Sequence, residues 1–166
     1  ISPDRMTYVF RLRKDVKYCN GRSMTSKDVV GTFARWRDPA TRSTSRFRIG
    51  SVDSIRALDD YTVEMRLKKP DNELLLQLGT HFASIIDPEQ AAELKENFGV
   101  TAFNGVGPFC LERWLPRQEV VLRRHEAYRW GPPQFENKGP AKVERIQYKS
   151  VPEESTMAAT MTSGGG

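Results

Sequence analysis

Two cysteines, two histidines and a knot of arginines are the residues in this chain whose types suggest chemistry. Cys110 with His125 would make a thiol nucleophile and its base, and His81 beside a carboxylate would make a second acid–base pair, the equipment of a hydrolase. Against this, Cys110 sits one residue into a run that reads as a strand, where a small buried thiol is the ordinary occupant. Two cysteines exclude a disulfide-rich scaffold and a cysteine-only zinc site. One bridge between Cys19 and Cys110 stays open, since spacing alone cannot decide it. The histidines stand isolated and no metal-ligand spacing occurs, so neither metal nor cofactor is expected.

The arginines point to binding. Arg42, Arg46 and Arg48 fall within the Ser/Thr-rich stretch from Thr41 to Arg48, directly after a capped helix. The planar guanidinium suits a carboxylate, which makes Arg46 the best candidate for holding an anionic group, with Phe47 beside it. The net charge of +5 is uneven: residues 1–50 carry +8, residues 51–100 carry −5 and the remainder +2. A basic first third can attract nucleic acid, an anionic ligand or an acidic partner. No reading helix or base-stacking pattern accompanies it, so no nucleic-acid partner is expected. No apolar run approaches the roughly 20 residues that span a bilayer. The beginning lacks the apolar core of a signal peptide, and the Gly-rich end reads as a linker.

The elements that must position these residues can be read in order. Thr7 to Arg13 alternates, placing Tyr8, Phe10 and Leu12 on one face of a strand. Asn20-Gly21 is a turn. Thr25 is an N-cap with Asp28 three residues on, and Val29, Val30, Phe33 and Trp36 follow at helical spacing, which places Trp36 in the core. Asp38-Pro39 should end that helix. Ser51 to Leu58 and Tyr61 to Leu67 read as a hairpin about Asp59-Asp60 that shares a subdomain with the first strand. Asn72 to Leu78 is a short helix and Phe82 to Ile86 a short buried strand, with Ser84 bonding to nearby backbone. Asp87 caps another helix, with Pro88 at its first position. Asn104-Gly105-Val106-Gly107-Pro108 is a constrained turn leading into a strand from Phe109 to Trp114 that contains a slip in register. Its glycines permit positive φ or close backbone approach. Glu119 to Arg124 pairs with that strand. Tyr128-Arg129-Trp130-Gly131 is an aromatic loop whose end Trp130 packs, Val143 to Tyr148 is a further strand, and Pro152 opens a final helix.

Taken together, these segments resemble the family 5 extracellular solute-binding proteins, the dipeptide- and oligopeptide-binding components of bacterial ABC importers. Tyr8 to Tyr18 resembles the family's first signature. Thr25-Ser26-Lys27-Asp28-Val29-Val30 and Phe33 to Trp36 are similar to its next helix, and Val52 to Leu67 to its hairpin. Gly105-Val106-Gly107-Pro108-Phe109 resembles a Gly-Thr-Gly-Pro-Phe turn with valine in the threonine position. Tyr128 to Gly131 resembles a Tyr-Trp-Gly turn with one insertion, and Val151 to Thr156 a Pro-Asp-Glu-Ser-Thr helix entry. Cys19 stands where the family often has histidine.

The resemblance implies an α/β fold, a mixed sheet with flanking helices that is part of a two-lobed type II periplasmic-binding-protein architecture. Residues 1–100 would be the small α/β subdomain, 101–162 a segment of the first ligand-binding lobe and 163–166 a tail. The chain would thus be a piece of a longer protein. The implied function is capture of a peptide or peptide-like solute for delivery to the membrane subunits of an ABC importer, in the periplasm or on the outer cell surface. Chelated nickel, an oligosaccharide or an opine are the alternative solutes. No catalytic residue is implied. The ligand-binding residues expected are Arg46, Phe47, Ser84, Gly105, Gly107 and Phe109, with Gly105 and Gly107 shaping the hinge-side wall of the cleft.

Overall fold

The computed structural model describes residues 1–151, 153 and 161–163. Its elements are β1 (Thr7–Arg11), α1 (Ser26–Arg37), β2 (Val52–Asp59), β3 (Thr62–Leu67), α2 (Leu74–Leu78), α3 (Pro88–Leu94), β4 (Phe109–Leu115), β5 (Glu119–Arg124) and β6 (Arg145–Lys149). The α/β class expected from the sequence holds. Its strands form two three-stranded sheets, ordered β1-β3-β2 and β4-β5-β6, with every named pair antiparallel.

The first sheet follows from alternation. Tyr8 and Phe10 stand opposite Met65 and Val63, and Ile55 and Ala57 face the same two residues from the other side. The side chains of one face therefore converge. Val63 and Met65 are almost fully buried, whereas Val9, on the opposite face, is half exposed. Helix α1 covers the converged face with Val29, Phe33 and Trp36. The Phe33 and Trp36 rings meet edge to face at 5.1 Å.

Helix α1 begins where its cap requires. The Asp28 carboxylate accepts from the Thr25 N–H at 2.7 Å and from the Thr25 hydroxyl at 3.3 Å. It ends at Arg37, before Pro39. Helix α3 is capped by Asp87, which accepts from the N–H groups of Glu89 and Gln90. The two helices meet closely at Gly31, where an added Cβ would lie 2.7 Å from the Pro88 Cβ.

The second sheet carries the anticipated slip, a register shift between Leu111 and Arg113. Strand β6 begins at Arg145, leaving Val143 outside it and exposed. The helix expected from Pro152 lies mostly outside the described residues.

One expected element does not form. Phe82 to Ile86 is no buried strand: His81–Ala83 is a 3-10 turn, and Phe82 is 47% exposed. The apolar residues of this segment do not share one destination. The Phe82 ring packs against His81 and under the Arg48 guanidinium, and the Ser84 hydroxyl donates back to the His81 carbonyl. Only Ile86 makes a bridge, to Gly105.

Candidate functional site

Three arrangements organise the chemistry-bearing residues. The first is the turn before β4. Its successive carbonyls all find donors: Gly105 from the Cys19 N–H (3.0 Å), Val106 from Trp130 Nε1 (2.9 Å), Gly107 from His125 Nδ1 (3.0 Å) and Pro108 from the His125 N–H (2.9 Å). His125 is buried and stacks edge-on against Trp130. These bonds use one ring nitrogen of His125 as a structural donor, so the imidazole anchors the turn. Trp130 closes its loop as expected.

Cys19 and Cys110 are joined in a disulfide. The thiol nucleophile considered from sequence therefore does not exist in this structure, and the Cys110–His125 pair cannot act as a nucleophile and base. A nitrogen of His125 and the two sulfurs do lie within 4.8 Å of one another, a grouping hidden by their separation in sequence. With both sulfurs spent on each other, no thiolate remains to ligate a metal.

The second arrangement is a charge clamp. Arg22 donates to Asp28 and Asp87, each at 2.8 Å, and its guanidinium lies 4.4 Å from the Tyr18 ring centroid. Asn104 Nδ2 donates to the other oxygen of Asp87 at 2.6 Å, and the Asn20 N–H reaches Asn104 Oδ1 at 3.2 Å. Burial pushes Asp87 up, but bonds from Asn104, the Gln90 N–H and Arg22 outweigh it and hold the carboxylate below its usual range. Burial, reinforced by Asp28, pushes the Tyr18 hydroxyl up; it donates to the Ile86 carbonyl at 2.7 Å. This clamp fastens the N-termini of α1 and α3 to the turn before β4.

The third arrangement is a cavity of about 680 Å³ between the segment after α1 and the ends of β2 and β3. Arg46, Phe47, Ser43 and Thr44 line one side, and Asp53 and Lys68 belong to the other. Arg37 lies between them, its guanidinium donating to the Val52 and Asp53 carbonyls. Phe47 is 70% exposed. Its position is fixed from behind, because Arg48 stacks over both Phe47 and Phe82 and donates to Gln77 Oε1 at 2.6 Å.

The residues expected to bind ligand thus fall into separate groups. Arg46 and Phe47 share the cavity. Ser84 is exposed, with its hydroxyl engaged on His81. Gly105, Gly107 and Phe109 belong to the second sheet and its entry. Neither Gly105 nor Gly107 has positive φ, in contrast to Gly21 and Gly99. A Cβ on Gly107 would meet nothing within 4 Å, while one on Gly105 would press on the Phe103 ring at 2.9 Å. Close approach therefore accounts for Gly105, and neither freedom is used at Gly107.

Residues 1–166 match, over their whole length, the family described as bacterial extracellular solute-binding proteins, family 5 Middle. The chain belongs to this family. A putative ABC transporter peptide-binding protein of Brucella ovis is 34% identical over 142 residues, covering 82% of this chain and 26% of that protein. Among solved structures, the Helicobacter pylori periplasmic binding protein DppA in complex with the peptide STSA superposes with a TM-score of 0.80 at 29% identity. That match covers 99% of this chain and 35% of DppA. MoaA of A. tumefaciens R10 in complex with mannopinic acid gives 0.87 at 26% identity, over 99% and 32%. The chain thus spans about a quarter to a third of these relatives. As a member of family 5, it shares its fold with substrate-binding proteins.

Of the residues lining the cavity in this family 5 chain, the sequence singled out Arg46 and Phe47 but not Lys68 or Asp53, and it did not reveal the Arg22 clamp. Lys68 opens a Lys-Lys-Pro sequence whose proline ends the strand pattern and carries no sign of a site, and nothing local to Arg22 signals a partner 65 residues away. Asn104 and the N-cap pattern at Asp87 were visible, though not their convergence.

Proposed function

We propose that this chain is one portion of a longer binding protein that captures a peptide or peptide-like solute outside the cytoplasm and delivers it to the membrane subunits of an ABC importer. The observation that carries this reading is the end-to-end match to family 5, joined to backbone likeness with solute-bound binding proteins. A division near residue 100 separates a small α/β subdomain from a segment of the first ligand-binding lobe. The solute borders Arg46 and Phe47, and the Gly105–Phe109 turn forms a rigid wall.

The chemistry agrees with capture without turnover. Such sites need shape, aromatic surface and a few fixed polar groups, and Phe47, held by Arg48, is surface of that kind. The disulfide suits the periplasm or the outer cell surface, where oxidising conditions preserve it. No described helix is long and apolar enough to cross a membrane.

A carboxylate-bearing sugar conjugate is a second reading, favoured by the likeness to MoaA in complex with mannopinic acid. Native mass spectrometry of the full-length protein, purified from its host without denaturation, tests both. A co-purified peptide supports the first and a co-purified sugar acid the second. A protein that carries no solute and takes up none on incubation with peptide and opine mixtures contradicts capture.

A further inference from the structure

We infer that the cavity between the Ser43–Phe47 segment and the ends of β2 and β3 recognises the carboxylate of an acidic amino compound, such as a peptide with an acidic side chain, through Arg46 and Lys68 acting together. This rests on the solute-capture reading and goes beyond it by naming the charge class of the solute and an unassigned binding residue, Lys68.

The argument starts from which charges are already used. Arg37 lines the cavity, but its guanidinium is spent on the Val52 and Asp53 carbonyls at 2.7 and 3.0 Å. Arg48, two residues past Arg46, is spent on Gln77 and on two aromatic rings. By contrast, the side chains of Arg46, Lys68 and Asp53 have no hydrogen-bond or ion-pair partner among the described residues. On the first sheet Arg56 and Arg66 both reach Glu64 and so are matched, while Arg11 lies away from the cavity lining. Two unmatched cations therefore face one cavity with one unmatched carboxylate, an excess of positive charge that favours an anion. Asp53 is left to accept from an amino group on the same molecule.

The walls make this more than a charged surface. Arg37 pins the backbone at Asp53, and the backbone N–H of Lys68 donates to the Ser51 carbonyl at 2.8 Å, so both residues rise from fixed backbone. Phe47 is held in place by Arg48 while its own face stays open. An apolar wall beside two cations accommodates a compound that is anionic at one end and apolar along its length. Arg46 supplies a bidentate fork and Lys68 a point charge, a pair suited to a carboxylate with room to settle.

Calorimetry on the full-length protein, at low and moderate salt, compares three probes: Ala-Glu, Ala-Gln and gluconate. Ala-Glu should bind about tenfold tighter than Ala-Gln, corresponding to a second charge-assisted contact. Gluconate, which has one carboxylate and no amine for Asp53, should bind no tighter than Ala-Gln, which has both. In Lys68→Ala the Ala-Glu to Ala-Gln ratio should drop to about threefold or less, in Arg46→Ala/Lys68→Ala to near unity, and Lys68→Arg should restore it. Thermal melting of each variant confirms that it is folded. Equal affinity of the wild-type protein for Ala-Glu and Ala-Gln, or a preference that survives in the double variant, overturns the inference while leaving solute capture standing. If none of the three probes, nor any solute from a peptide and opine mixture, binds the folded protein, solute capture fails and the inference with it.

Discussion

Cys19 and Cys110 are tied twice over: their sulfurs are bonded with the Cα atoms 5.7 Å apart, and the Cys19 N–H donates to Gly105, five residues before Cys110, at 3.0 Å. The disulfide closes a loop across 91 positions, from the Asn-Gly turn after β1 to the second residue of β4. It thereby staples the segment that follows β1 of the first sheet to β4 of the second. Removing such a long closure should destabilise the chain by about 2–4 kcal/mol, chiefly by freeing the unfolded state. Urea unfolding of Cys19→Ser/Cys110→Ser against the oxidised protein measures this. Intact mass after alkylation should show no labelled cysteine until a reductant is added. Labelling of the untreated, folded protein would show that the bridge is absent.

The Arg22 clamp predicts a pH response whose direction changes with one substitution. Asp87 is held below its usual range, so its contribution to stability is fully present above the unfolded carboxylate value of about 4. It is lost as pH falls through the depressed folded value. The urea midpoint should therefore fall as pH drops below about 4. Arg22→Met leaves Asp28 and Asp87 without their shared cation, and both carboxylates are buried. A loss of about 2–4 kcal/mol at neutral pH follows, lower than for a fully buried pair because the Arg22 side chain is 29% exposed. In this variant mild acid should narrow the gap to wild type, since protonation now relieves repulsion. A constant gap from pH 7 to pH 4 would contradict the clamp.

Two glycines separate packing from backbone conformation. Gly31 lies within α1, where alanine would ordinarily add about 0.5–1 kcal/mol. Here its Cβ would strike the Pro88 ring at 2.7 Å, so Gly31→Ala should instead cost about 1–3 kcal/mol. Gly107→Ala should change thermal stability by less than about 0.5 kcal/mol, because its φ is not positive and the space is open. Equal effects at the two sites would show that the approach of α1 to α3 is not as described.

How much of this was legible in the sequence depended on the range of the interaction. Tyr8, Phe10, Val63 and Met65 declared their sheet by alternation, and Thr25–Asp28 and Asp87–Pro88 declared their helices by caps, because both signals are local. Even the slip before Trp114 showed as a break in period. Phe82 to Ile86 misled because an apolar run does not reveal where its side chains go. Arg48, well separated in sequence, offers Phe82 a cation to stack on, and that contact keeps the ring at the surface. The clamp among Arg22, Asp87 and Asn104 was unreadable for the same reason. Arg46 was legible as a residue type, whereas its companion Lys68 is supplied by the end of β3 across the cavity.

Solute capture is tested most directly by calorimetry on two proteins: the full-length polypeptide, titrated with the solute that co-purifies with it, and residues 1–166 titrated with the same solute. An arginine–carboxylate contact left open to water contributes about 1 kcal/mol or less, and affinity in a two-lobed site depends on enclosure. The full-length protein should bind at micromolar affinity or tighter, Arg46→Ala should weaken it about fivefold or more, and residues 1–166 alone should bind in the millimolar range. A full-length protein with no saturable uptake of any small solute, or an Arg46→Ala form that binds as the wild type does, would contradict the account.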